Sequence, residues 1–251
     1  MKRICAAFIF FTRLPIWKLV NPPQEAYMDV VVWWPVVGWL TGGLTAFLMW
    51  TLSYIVAWPI AVILALIVRL LLTGALHEDG LADFCDGFGC GGNKDRILAI
   101  MKDSHIGTYG VIGLIMYFLL TFAILTSLPV KIAVLGFFAA DSYSKACAAQ
   151  ITNRLPYARL EGAKNKISYS KMSLAKLLVC IVTGIIPLGI AVTILGIKMF
   201  AAVILPYFVF IWLINLMRHK IGGYTGDCCG AMFLLIELSF LTGIALITHT
   251  L

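Results

Sequence analysis

The sequence predicts an all-α fold: a polytopic helical membrane protein with about seven transmembrane helices and an N-terminal interfacial helix. Three observations carry this. Of 251 residues, 61% are hydrophobic and only 12% charged. Mean hydropathy is +0.97. Apolar runs long enough to cross a hydrocarbon core of roughly 30 Å recur along the chain. There is no internal repeat, low-complexity tract or soluble appendage, so 1–251 reads as a single integral-membrane domain.

The elements follow in order. The start, "MKRICAAFIFFTRLPIWK", is basic and then briefly apolar. Arg13 and Pro15 stand where a signal peptide needs small residues, so the segment reads as a retained interfacial helix over Ile4–Phe11. Apolar windows then mark spans at about 30–57, 59–76, 109–127, 131–151, 173–195, 199–216 and 231–250. The first two are parted by Trp58 and Pro59, and proline is tolerated just inside a helix start, where its missing N–H has no partner to lose.

Fifteen of the nineteen Lys and Arg residues fall on one side of these spans. Lys131 and Lys198 fall on the other, while Arg69 and Lys145 lie within spans. The positive-inside rule then puts the N-terminus in the cytoplasm of a cell's inner membrane. It also puts the three longer polar loops, 77–108, 152–172 and 217–230, together on that face, where they can converge on one site. The net charge of +7 is thereby accounted for by topology, and nucleic acid is not an expected partner. Seven cysteines without a paired framework read as reduced thiols.

Negative charge is concentrated: six of the twelve acidic residues lie between Glu78 and Asp103. In "HEDGLADFCDG", Asp79, Asp83 and Asp86 stand at i, i+4 and i+7, which at about 100° per residue confines them to a stripe of about 60° on one helix face. Three like charges need compensation. An all-oxygen ligand set suits Mg²⁺, a hard cation that keeps waters and takes further oxygens from phosphate. A solvated acidic face is the bland alternative.

The following "DGFGCGGNKDR" either turns amides towards an anion or is a plain flexible turn; Lys94 and Arg96 add positive charge. In "MKDSHIGTYGVIGL", Asp103 is a fourth acidic candidate and Lys102 a phosphate contact. Gly107, Gly110 and Gly113 make a small-residue track for close helix approach, packing alone for Gly113. "GGYTGDCCGA" offers glycines, a hydroxyl and Asp227, either a metal partner or a cap of the last helix. His77, 200° from Asp79 on an ideal helix, is either a base or phosphate contact or a structural histidine. A zinc site from His77 with Cys85, Cys90, Cys228 and Cys229 lacks ordered ligand spacing. Within spans, Asp141 and Lys145 either face an interior cavity or form a buried self-neutralising pair. Arg69 reads as snorkelling from a span end, and Glu237 as lining the cavity of Asp227.

Taken together, "FFTRLP", "HEDGLADFCDG", "DRILAIMKDSHIGTYGVIGL" and "GGYTGDCCGA" resemble the cobalamin synthase, or adenosylcobinamide-GDP ribazoletransferase, family, in order and almost end to end. The resemblance implies the final nucleotide-loop assembly step, with Mg²⁺. Adenosylcobinamide-GDP and α-ribazole, or its 5′-phosphate, give adenosylcobalamin or its phosphate plus GMP. It implies metal at Asp79, Asp83, Asp86 and Asp103, and catalysis by His77, Asp79 and Asp83. Substrate contacts are implied at Arg13, Gly80, Gly87, Lys94, Arg96, Lys102, Ser104, Gly107, Arg154, Thr225, Gly226 and Asp227. The lipid bilayer and other enzymes of the pathway are the implied partners. The acidic stripe is also chemically similar to the CDP-alcohol phosphotransferases, but Asp79-Gly80 lacks their following Ala-Arg. The rival from another class is a divalent-cation transporter, disfavoured because the acidic cluster is not at mid-membrane, where carriers place their sites.

Overall fold

The computed structural model describes residues 1–158 and 169–249; Arg159, Lys164 and Lys166 of the charge count lie outside them. Among the described residues there are helices and turns, with one isolated bridge between Tyr157 and Tyr224. The helices are α1 (Lys2–Phe11), α2 (Gln24–Tyr27), α3 (Trp34–Leu52), α4 (Trp58–Thr73), α5 (Leu76–Cys90), α6 (Lys94–Ile100), α7 (Thr108–Ser127), α8 (Val130–Ala149), α9 (Ile151–Arg154), α10 (Leu174–Leu195), α11 (Ile204–Ile221) and α12 (Gly226–His249).

A helix occupies each position where a span was expected. Five segments are long and apolar enough to cross a membrane: Val30–Leu52, Thr108–Ser127, Leu174–Leu195, Ile197–Ile221 and Gly226–His249. The bent pair α4 and α5 makes a sixth if read as one span. The expected seven are not all marked by length and composition, because α4 has 16 residues and α8 carries Asp141 and Lys145 in its middle. Apolar side chains such as Ile112, Leu119, Val182 and Phe208 lie exposed on α7, α10 and α11, as a lipid-facing surface requires. This is a helical membrane protein.

α8 runs through the middle, against α3, α10 and α12. α3 approaches it through Gly38 and Gly42: a Cβ on Gly38 would lie 2.9 Å from Asp141 Oδ1, and one on Gly42 2.7 Å from Asp141 Cβ. Small residues at this spacing let two membrane helices touch backbone to backbone.

Asp141 is not paired with Lys145 alone. Lys145 Nζ bonds both Asp141 and Thr41 Oγ1 (3.0 Å), and Arg69 Nε stands 3.6 Å from Asp141 Oδ2. Arg69 Nη1 donates to Glu237 Oε2 at 2.9 Å, which also accepts from the Tyr117 hydroxyl at 2.9 Å. Arg69 is 3% exposed and does not snorkel: Glu237 of α12 neutralises it in place. Glu237 is thereby committed to Arg69 and does not line the cavity of Asp227. Four charges of two signs cancel within the helix bundle, which is what makes them tolerable away from water.

The region 77–108, expected as a loop, is largely helical. α4 ends at Gly74, whose left-handed φ of 67° closes the helix. Ala75 follows at φ 55°, a strained conformation for a residue with a Cβ. The chain thereby bends by 90° between α4 and α5. The N-terminal segment braces this elbow: Arg13 N donates to Leu72 O at 2.7 Å, and the Arg13 guanidinium lies over Gly74 where a side chain would collide with it. Beyond the elbow, α5 packs on α12 and α7.

Candidate active site

α5 carries the acidic stripe, and its helical face is as the spacing predicts. The three aspartates nevertheless have different surroundings. Asp79 is exposed and Asp83 half-buried, one turn apart. Asp86 is 5% exposed and accepts from the backbone amides of Gly107 (2.7 Å) and Gly110 (2.9 Å). It therefore caps the start of α7, where unpaired amides and the helix dipole favour an anion. Asp103 is held by His105, whose Nδ1 is 2.7 Å away and whose amide donates at 3.0 Å. The expected quartet of Asp79, Asp83, Asp86 and Asp103 is thus not gathered at one place.

What α5 does meet is the first turn of α12. Each helix supplies a glycine to the crossing. A Cβ on Gly80 would lie 3.0 Å from Asp227 O, and one on Gly230 3.1 Å from His77 O. Gly80 accordingly packs against the start of α12. Gly87 packs likewise, its missing side chain replaced by Met101 and the carbonyl of Ile97. Gly107 is filled against the Asp86 carboxylate, and Gly113 lies on Cys85, packing as expected.

The crossing opens onto a cavity of about 110 Å³. Asp79 and Asp227 line it, together with His77, Gly226, Phe10, Phe11, Trp34 and Tyr169. Thr225 is the cap of α12: its Oγ1 accepts from the Cys228 amide at 3.3 Å and donates to Asp227 Oδ2 at 3.2 Å. Asp227 is therefore not the cap; it sits half-buried in the first helical turn, where a carboxylate is favoured. The 152–158 segment joins the same corner, since Tyr224 N donates to Pro156 O (3.0 Å) and Ala158 N to Tyr224 O (2.8 Å). Gly223 makes this approach possible, with the chain of 156–158 occupying the place of its Cβ. The described parts of the three polar regions do converge.

Arg154 is exposed at the end of α9 beside this corner. Lys94 and Arg96 are exposed on the first turn of α6, and Lys102 and Ser104 are exposed just beyond that helix. The glycine-rich stretch is not a long anion loop: α5 continues to Cys90, only Gly91 and Gly92 take positive φ, and Asn93 Oδ1 caps α6 through the Arg96 amide.

Sequence reasoning missed the aromatic wall. Phe11 stacks on Trp34 at 4.8 Å, and His77 lies 5.4 Å from Trp34 and 4.9 Å from Phe233. Burial first, and then the nearby thiol, phenols and Asp227, push the Tyr169 hydroxyl well above its ordinary pKa, so it stays protonated at the cavity edge. The one available signal was the "FF" opening the "FFTRLP" motif.

Among the described residues, no three His, Cys, Asp or Glu side chains are placed to hold a metal on protein ligands alone. That removes the zinc alternative, which needs three or four. It does not remove Mg²⁺, which is held by one or two carboxylates completed by water and substrate phosphate. The oxygen donors Asp79 and Asp83, one turn apart and reached by solvent, fit that pattern.

Comparison with known proteins accords with these features. The family described as cobalamin-5-phosphate synthase matches residues 3–245. Curated relatives named adenosylcobinamide-GDP ribazoletransferase include one from Clostridium novyi, 32% identical over 96% of this chain and 95% of its own. One from Leptospira interrogans is 34% identical over 96% and 94%, and one from Shigella flexneri 33% identical over 96% and 98%. No solved structure matches the chain.

Proposed function

The chain belongs to the cobalamin-5-phosphate synthase family, and from that premise we propose that its reaction takes place where α5 crosses the first turn of α12. The activity is that of an adenosylcobinamide-GDP ribazoletransferase of cobalamin biosynthesis, a transferase acting in a membrane. The observation that carries the site is that Asp79 and Asp227, 148 positions apart in the sequence, line one cavity.

In this reading a ribose hydroxyl of α-ribazole, or of its 5′-phosphate, attacks the phosphorus joined to cobinamide. A new oxygen–phosphorus bond forms, the bond to GMP breaks, and GMP leaves with the electron pair. Asp79 and Asp83 would hold Mg²⁺, which would supply charge neutralisation for the diphosphate. Asp227, oriented by the Thr225 hydroxyl, accepts the attacking hydroxyl's proton. Lys94, Arg96, Lys102 and Arg154 draw the anionic substrates towards the rim, and the rest of the barrier is lowered by positioning. The base role is given to Asp227 and not to His77, which is 2% exposed and packed against Phe11, Trp34 and Phe233.

The excess of Lys and Arg on the side of these loops supports a site facing the cytoplasm from the inner membrane, with the N-terminus on the same side. The test is purified protein with adenosylcobinamide-GDP and α-ribazole 5′-phosphate, followed by GMP release. We expect release with Mg²⁺ and its loss on chelation with EDTA, restored by added Mg²⁺. Release that continues unchanged in EDTA refutes the metal assignment.

A further inference from the structure

A second cavity, of about 140 Å³, lies where two spans begin, at the foot of Val30–Leu52 and of Leu174–Leu195. Its walls are apolar, Val32 and Trp33 on one side and Ala175 and Val179 on the other. Arg3, Asp29 and Lys176 bring charge to it. Asp29, 4% exposed, has both oxygens engaged: Oδ1 accepts from Lys176 Nζ (2.6 Å) and Ser170 Oγ (3.0 Å), and Oδ2 pairs with Arg3 Nε (3.4 Å). The cations are less committed. Arg3 gives Asp29 only its Nε edge and its side chain stays 60% exposed, so the other N–H groups of a planar guanidinium are left for a further anion. Lys2 and Lys171, both exposed, adjoin Arg3 and Ser170 in the chain; with exposed Glu25 counted against them, the corner still keeps an excess of cations.

We propose that this cavity holds one anionic phospholipid, its phosphate on Arg3 and Lys176 and the neck of its chains against Trp33 and Val179. Depth favours this occupant, because helices that begin at the cavity put it at head-group level, where basic pockets between membrane helices take anionic heads. Continuity favours it too. Val179 belongs both to the cavity and to the exposed apolar side of α10, with Leu178 and Val182 exposed beside it, so a chain leaving the cavity stays on a lipid-facing surface. The volume is well below the roughly 300–1,000 Å³ of a site that encloses a drug-sized ligand, which suits the neck of one lipid with its tails outside. A zwitterionic head brings its own cation to a corner already rich in them. The other anion at hand is a substrate phosphate, but these apolar walls offer nothing to a nucleotide's sugar or base. The cavity of Asp79 also lies on another side: Val31 and Trp34 line that one while Val32 and Trp33 line this one, and Arg3 precedes Phe10 by roughly 10 Å along α1.

The experiment titrates the purified protein in detergent with phosphatidylglycerol and, separately, with phosphatidylcholine, and reads the occupancy of the first bound lipid by native mass spectrometry. It needs no turnover, so its outcome is independent of the active-site reading. Wild type is expected to bind phosphatidylglycerol roughly tenfold or more tightly than phosphatidylcholine. Ala175→Phe puts a ring into the cavity and leaves every ionic contact in place, while Arg3→Gln with Lys176→Gln removes both cations. Each is expected to bring phosphatidylglycerol down to the affinity of phosphatidylcholine. Lys220→Gln, which removes an exposed cation at the end of α11, is expected to change nothing. Glycerol 1-phosphate, a head group without chains, is expected not to displace the lipid at millimolar concentration. Equal affinities for the two lipids in wild type overturn the proposal, and so does an Ala175→Phe variant that binds phosphatidylglycerol as wild type does. An equal loss in Lys220→Gln overturns it in favour of general surface charge, and displacement by glycerol 1-phosphate in favour of a soluble anion. If the double variant does not fold, Ala175→Phe decides alone.

Discussion

Two groups of charged side chains, both built on α12, behave in opposite ways. At its start, Asp227 joins Asp79 on a cavity that solvent enters; three turns further on, Glu237 joins Arg69, Asp141 and Lys145 where solvent does not. The deep group contains its own counter-ions, two carboxylates to two cations, and every member is at most 3% exposed. The edge group gathers carboxylates where water and ligands can reach. In the function proposed above the same residue types serve assembly in one place and chemistry in the other, and access to water tells them apart. A charge sealed in the bundle must be neutral within the protein, whereas one at the edge can wait for a cation brought by substrate.

Substitutions test this division. The largest effect is expected from Asp79→Asn, which keeps the shape and removes the charge: GMP release should fall by about 10³-fold or more, the scale of losing one electrostatic stabiliser of a transition state. Its thermal unfolding should match wild type. Activity within tenfold of wild type would contradict the division at its catalytic end. Next is Arg69→Met, which leaves Glu237 and Asp141 buried without their guanidinium. A loss of roughly 3–5 kcal/mol is expected in detergent unfolding, with most of it recovered by adding Glu237→Leu. Asp86→Ala sharpens the comparison within one helix. Two amides of α7 lose their cap, and about 1–2 kcal/mol of stability should go, while the metal dependence of GMP release stays as in wild type.

The smallest effect concerns Asp29, which accepts from Lys176 (2.6 Å) and Ser170 (3.0 Å) and pairs with Arg3. Burial acts to raise its pKa, but the hydrogen bonds and the charges of Lys176 and Arg3 outweigh it and hold the carboxyl below its ordinary value. A depressed carboxyl stabilises the fold above its unfolded pKa and loses that contribution as pH falls through the folded one. Wild type should therefore lose more stability than Asp29→Asn when pH is lowered below about 4. Parallel acid unfolding curves for the two would remove this ion pair from the account.

Much of this was legible in the residues. Long apolar runs located the helices, and the 4 and 3 spacing of aspartates gave α5 its acidic face. The spacing was silent on which aspartate stays accessible, because Asp86 is taken by amides 21 and 24 positions downstream, and helix periodicity carries no information about a neighbouring helix's end. Arg69 read as snorkelling because it stands near a span end; its real partner is 168 positions away. The elbow was hidden for a related reason. Nothing in "LLTGALHED" breaks a helix outright, and the bend rests on a left-handed Ala75 braced by Arg13 from the other end of the fold. The aromatic cavity was missed because Phe and Trp in an apolar chain look like ordinary filling, and nothing in the sequence shows that they gather beside Asp79 and Asp227.

The dependence of α4 on α12 has a consequence for synthesis. A ribosome adding roughly 5–20 residues per second separates Arg69 from Glu237 by about 8–34 s. Throughout that interval Glu237 has not been translated, so Arg69 has Asp141 alone to neutralise it once α8 is made, and the acidic helix has α7 but not α12 to lie against. When α12 inserts, it brings the second counter-charge of Arg69 and the wall that carries Asp227 together.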